Sequence, residues 1–153
     1  MEITPFLWFD DQAEDALDFY SKVFANSRVV NVSKGGDPSV AGGFIIGSIE
    51  IENLLITVFN GGPAYTFNEA ISLFVSCETQ EEVDHLWSAL GEGGTPGRCG
   101  WLKDRFGVSW QVIPTLLGTL MSDPDPAKAS RVRDAMMQMS KIDGERLLVA
   151  YNG

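Results

Sequence analysis

Few side chains in this 153-residue chain could act as nucleophile, base or metal ligand. Cys77 and Cys99 stand outside any Cys-x-x-Cys or Cys/His cluster, and His85 is the single histidine. A thiol attacks as thiolate, so Cys99 is the candidate nucleophile: Arg98 and Lys103 could lower its pKa, but no imidazole is at hand to take its proton. A structural thiol is the simpler reading. A Ser/His/Asp set needs a histidine beside the nucleophile, and His85 falls off the apolar stripe of its own helix, toward solvent. Glu50 and Glu69 are candidate carboxylates, each placed at a strand end. Gln111 carries a neutral amide, which hydrogen-bonds a ligand well and holds a cation poorly.

Cys99 and Gln111 belong to the run Cys99 to Pro114, which reads as two short strands around a tight turn at Arg105-Phe106-Gly107. Gly107 supplies the freedom for positive φ there. From Val108 to Ile113, Val/Trp/Val alternates with Ser/Gln/Ile, so Ser109 and Gln111 share a face that Trp110 does not.

The elements before this run repeat. Ile3 to Phe9 is an apolar run followed by Asp11 and Glu14 at capping-box spacing, then a helix with Ala13, Ala16, Leu17, Tyr20, Val23 and Phe24 on one stripe. Ile71 to Cys77 is a second apolar run, followed by Thr79 and Glu82 at the same spacing and a stripe of Val83, Leu86, Trp87 and Leu90. Strand sequence follows each helix: Arg28 to Ser33, Gly43 to Glu50 and Leu54 to Phe59 in the first half, shorter pieces between Thr95 and Ile113 in the second. Two tandem βαβββ modules are therefore expected in an α+β fold, each helix burying its stripe on its own sheet. Asp125-Pro126 opens a C-terminal helix, with Ala129, Val132, Met136 and Met139 on its apolar side, and a last helix runs from about Asp143 to Tyr151. One domain over 1–153 is expected, with modules at about 1–66 and 67–114 and a helical extension over 115–153.

Twenty-one acidic against eleven basic residues give a net charge of −10, which repels phosphate backbones and anionic membrane surfaces. Nucleic acid and membrane are not expected partners. The N-terminal Met-Glu-Ile-Thr-Pro has neither a basic nor an apolar signal region, and no apolar run approaches a membrane span. A cytoplasmic location with reduced thiols is the expectation.

Several motifs together resemble a known family: the tandem modules, Ala16-Leu-Asp-Phe-Tyr20 with Val23-Phe24, Asn60-Gly-Gly-Pro63, Phe67 to Ser72, Cys99 to Pro114, and Lys141-Ile-Asp143. The chain is similar to the PhnB-like proteins (3-demethylubiquinone-9 3-methyltransferase-like) of the glyoxalase/bleomycin-resistance/dioxygenase superfamily, the vicinal oxygen chelate proteins. That resemblance implies modules that curl their mixed sheets into a cup, a cleft for a small molecule, and a homodimer. In the superfamily's metal enzymes it implies four inward His or Glu ligands. Here the corresponding positions fall near Thr4, within Leu54 to Phe59, near Ser72 and at Gln111, none a strong ligand, so no metal or other cofactor is expected. Methyl transfer from S-adenosylmethionine ordinarily uses a glycine-rich loop after a parallel strand, whereas Gly91-Glu-Gly-Gly94 follows a helix.

With Gln111 inward in such a cup, Ser109 joins it, and the analogous register turns Phe6, Trp8 and Phe74 inward with Phe59. Thr57, Ser72 and Cys99 complete the expected ligand-binding set, an aromatic wall with few polar groups. Such aromatics either bind a flat ligand or fill the cup themselves. The adopted expectation is a small aromatic or hydrophobic ligand in a metal-free dimer cleft. The alternative is an enzyme of the same superfamily, either metal-dependent with nonstandard ligands or a methyltransferase.

Overall fold

The computed structural model describes residues 1–35 and 43–153. Among these are eight strands and five helices, and the chain divides into two units, Met1–Phe67 and Asn68–Gly153.

In the first unit the order is β1 (Phe6–Phe9), α1 (Ala13–Val23), β2 (Ser27–Gly35), β3 (Phe44–Ile51) and β4 (Leu54–Asn60). The sheet order is β1-β4-β3-β2, with β1 parallel to β4 and the other pairs antiparallel. Strand alternation puts Leu7, Phe9, Ile45, Ile49, Ile56 and Val58 on the face covered by α1, where they meet the buried Ala16, Leu17 and Tyr20. Burying one such aliphatic or aromatic side chain stabilises by roughly 1.5–3 kcal/mol. Gly47 sits under α1 because a Cβ there would come within 2.9 Å of Leu17 Cδ1.

The helix start differs from its sequence pattern. Residue Gln12 occupies the cap position with no side-chain cap bond, so Asp11 and Glu14 form no capping box. The cap comes from across the sheet: Asn60, wholly buried at the end of β4, accepts the Ala13 N–H at 2.7 Å and donates to the Asp11 carbonyl at 3.1 Å. A buried amide reached from 47 residues away satisfies the helix donor without the water a surface aspartate shares. β1 also starts later than the apolar run that precedes α1, at Phe6 rather than Ile3, which is exposed.

In the second unit, β5 (Leu73–Cys77), α2 (Gln80–Gly91), β6 (Thr95–Pro96), β7 (Trp101–Lys103) and β8 (Ser109–Pro114) form a sheet ordered β5-β8-β7-β6. Strands β5 and β8 are parallel, which repeats the β1–β4 pairing of the first unit. Thr79 and Glu82 make the expected capping box on α2. Val83, Leu86 and Leu90 are buried, as are Val108, Trp110 and Val112 of the sheet face beneath. His85 is exposed on the opposite side of the helix.

A helix that the sequence pattern did not reveal, α3 (Thr115–Met121), follows Pro114 directly. Gly118 weakens its local helix signal, but burial of Leu117 and Leu120 against Val132, Met139, Ile142 and Leu147 overrides propensity. Asp125 caps α4 (Pro126–Met136), and Asp143 caps α5 (Gly144–Asn152). The segment between them lies along the turn before β7: Cys99 and Gly100 donate their N–H groups to the carbonyls of Met139 and Ser140, both at 2.8 Å. No helix among the described residues is long and apolar enough to cross a membrane.

Candidate functional site

Each sheet has one face covered by its helix and one turned away from it, and the candidate residues of the strands divide between the two faces turned away. On the first sheet, Phe6 is the register partner of Thr57 and Trp8 of Phe59, so all four project to the side opposite α1. Phe59 is the hub. Its ring centroid lies 5.0 Å from Trp8, 5.7 Å from Phe6 and 5.6 Å from Phe44, the Trp8 and Phe44 contacts being edge-to-face. Tyr65 adds an edge contact to Trp8 at 5.2 Å. Phe6 remains 54% exposed and Tyr65 67%, so the cluster presents aromatic surface that its own packing does not use up. Phe44 and Tyr65 were absent from the sequence-based set; the strand alternation of Phe44 with buried Ile45 was the available signal for the first, and nothing local marks Tyr65.

The motif Asn60-Gly-Gly-Pro63 builds this face. A Cβ at Gly61 would stand 2.1 Å from Trp8 Cε2 and 2.6 Å from Phe59 Cε1, so only glycine lets the rings lie there. Gly62 takes φ +82, and its carbonyl accepts the Trp8 indole N–H at 2.9 Å. Thr4 precedes β1, and the neighbouring Pro5 carbonyl accepts the Thr57 N–H at 3.0 Å.

On the second sheet, Phe74 pairs in register with Gln111, and Gln111 with Trp101. Gln111 Nε2 donates to Ser72 Oγ at 2.9 Å. Phe74 is 59% exposed. Ser109, 2% exposed, faces the same way opposite Lys103, and its hydroxyl has no hydrogen-bond partner among the described residues. It lies in the wall of a cavity of about 300 Å³ with Glu69, Thr95, Trp101 and Lys103. Glu69 lies in a turn before β5, and Lys103 Nζ contacts its carboxylate at 2.5 Å. That hydrogen bond is the main cause holding the Glu69 carboxyl below its ordinary pKa.

Cys99 does not belong to a strand. It occupies the turn between β6 and β7 with φ +57, and its thiol donates to Met137 Sδ at 3.7 Å. Cys77 is buried, and desolvation, with the Glu82 charge second, pushes its pKa to about 11, so it stays a neutral thiol. Glu50 is ion-paired to Arg28 at 2.5 Å.

A buried carboxylate unmarked by the sequence organises the turn before β8. Asp104, 3% exposed, accepts the N–H groups of Phe106 and Val108 through Oδ1 at 2.9 and 3.0 Å, and the Trp110 indole N–H through Oδ2 at 2.9 Å. Gly107 has φ +89, the left-handed conformation expected of it. Asp104 is a structural anion: it aims Trp110 inward and thereby leaves Ser109 and Gln111 on the uncovered face.

The four positions that superfamily metal enzymes would use are Thr4, a β4 residue of which Thr57 faces away from α1, Ser72 and Gln111. Hydroxyls and an amide, two of them already bonded to each other, do not fit a divalent ion that wants carboxylate or imidazole. Among the described residues no three His, Cys, Asp or Glu side chains converge.

Residues 1–113 match the family model described as 3-demethylubiquinone-9 3-methyltransferase. Among solved structures, the chain is similar to a PhnB protein from Bacillus cereus at 30% identity, covering 74% of this chain and 99% of that one, with a TM-score of 0.68. A Pseudomonas aeruginosa protein is similar at 23% identity, over 74% and 97% of the two chains, with a TM-score of 0.63. The fosfomycin resistance protein FosX of Listeria monocytogenes, solved with Mn(II) and sulfate, shares the fold at 16% identity, over 72% and 88%, with a TM-score of 0.55. No curated protein matches the chain.

Proposed function

The chain belongs to the PhnB-like family described as 3-demethylubiquinone-9 3-methyltransferase, with the glyoxalase/bleomycin-resistance fold, and from that premise we propose that it binds a small aromatic or hydrophobic molecule without a metal. What supports this is the aromatic face of the first sheet: Trp8, Phe44, Phe59 and Tyr65 in edge contacts and Phe6 tilted against Phe59, with Phe6 and Tyr65 still offering apolar area. Edge-to-face clusters leave ring faces open to a flat guest, and each such contact contributes about 0.5–1.5 kcal/mol beyond area burial. The neutral hydroxyl of Thr57, on the same face, would orient the guest rather than hold a cation.

Binding is preferred to methyl transfer because the glycines Gly91, Gly93 and Gly94 end α2 instead of following a parallel strand, where a nucleotide-type donor is ordinarily held. A homodimer, on the superfamily resemblance, and a cytoplasmic location, on cysteines that stand outside any disulfide or metal pattern, complete the proposal.

Indole, a small uncharged aromatic, tests it. Titrated into the ¹⁵N-labelled protein, it should shift amide resonances at Phe6–Phe9, Phe44 and Leu54–Tyr65, equally with and without EDTA. Trp8→Ala should weaken binding about tenfold. If indole shifts none of these resonances, the proposal fails.

A further inference from the structure

The cavity of about 300 Å³ on the second sheet contains a buried group that its own fold leaves unsatisfied. Ser109 Oγ has no hydrogen-bond partner among the described residues, although the residue is almost fully buried. Buried polar atoms nearly always find a partner, and leaving one unmade is costly. Its position follows from the register. Ser109 stands opposite Lys103 on β7, and Lys103 opposite Thr95 on β6, so three polar side chains share one face of the sheet.

The wall also dictates the ligand's charge. Lys103 and Glu69, the cation and the anion of the wall, already pair at 2.5 Å, so the lining carries no net charge and favours neither sign of ligand. Trp101, half-buried, supplies a flat apolar side. A volume near 300 Å³ lies at the lower end of small-molecule sites and admits a single-ring compound. A ligand hydroxyl can either donate to the Ser109 hydroxyl or accept from it, so it gives that group a partner in either orientation.

We propose that this cavity takes a small uncharged molecule with one aromatic ring and a hydroxyl, a simple phenol in chemical class, whose hydroxyl pairs with Ser109. The assignment rests on the reading of the chain as a binder of small aromatic molecules, and adds to it a second set of residues and a chemical preference.

Phenol and toluene, alike in size and differing in the hydroxyl, are the probes. In ¹⁵N–¹H NMR titrations of the full chain, phenol should bind about five- to tenfold tighter than toluene and shift Thr95–Trp101 and Ser109. Ser109→Ala removes an unpartnered hydroxyl, so it should fold at least as stably as the parent chain and bind the two probes equally. Equal affinities in the parent chain, a phenol preference that survives Ser109→Ala, or no phenol binding would overturn the assignment. Phenol shifts confined to Phe6–Tyr65 would also overturn it, while leaving the aromatic face of the first sheet intact as a binding site. Failure of indole at that face is read separately, on different resonances.

Discussion

Gln111 Nε2 donates to Ser72 Oγ at 2.9 Å, joining the two positions of the second module where superfamily metal enzymes would place ligands. The hydroxyl and the amide bonded to each other are both neutral. Each is poorly suited to a hard divalent cation, and recruiting either would cost their mutual bond.

Divalent metal should therefore not stabilise this protein. Adding Mn(II) or Zn(II) in excess is expected to leave the thermal midpoint unchanged, and Gln111→Ala to lower stability by about 1 kcal/mol in urea unfolding through loss of the Ser72 bond. A rise in midpoint with saturable metal dependence would contradict the account of these positions.

Asn60 and Asp11 offer a direct contrast. Asn60→Ala leaves the buried Ala13 N–H without its acceptor and should cost roughly 1–3 kcal/mol, whereas Asp11→Ala, which removes no cap bond, should stay within about 0.5 kcal/mol. Urea midpoints of the two variants decide it; equal losses would restore Asp11 as the cap.

Asp104 should tolerate little change. Asp104→Ala strands two backbone N–H groups and the Trp110 indole N–H, at a cost of about 3 kcal/mol or more. Asp104→Asn keeps one carbonyl oxygen for the backbone but turns an NH₂ toward the indole N–H, so its loss should be smaller yet still measurable. Chemical unfolding monitored by tryptophan fluorescence reads both.

Acid should loosen the C-terminal helices through Asp123. Its carboxylate accepts the Tyr151 hydroxyl at 2.5 Å and the Asp125 N–H at 2.8 Å, the first being the main cause that holds its pKa below the ordinary 3.8. A carboxyl depressed in the folded state binds fewer protons there than in the unfolded chain. Its contribution is present above pH 3.8 and is lost as pH falls through the lower folded value. Tyr151→Phe should flatten the acid limb of the stability curve below that pH, read from thermal midpoints across the acid range. An acid limb identical to that of the parent chain would count against the pairing.

Features set within one helical turn or one tight turn were legible in the sequence. The capping box of Thr79 and Glu82, the Asp125-Pro126 helix start, the left-handed Gly107 and the alternation that puts Ser109 and Gln111 opposite Trp110 all depend on residues a few positions apart. Tandem modules were legible for the same reason, since each repeats a local period.

Tertiary structure decided what depends on residues distant in the chain. Asn60 replaces Asp11 as the partner of α1, Phe59 gathers Phe6, Phe44 and Trp8, Gln111 reaches Ser72, and Lys103 takes Glu69 into the cavity wall. α3 forms where Leu117 and Leu120 find a core to fill. Cys99 looked like a strand residue in the sequence and is a turn residue in the fold, because its amide and thiol are drawn to Met139 and Met137, about 40 positions away. Propensity and periodicity act through neighbours along the chain, whereas hydrogen-bond partners and ring contacts are chosen by which strands pair, and pairing fixes distances that no local spacing records.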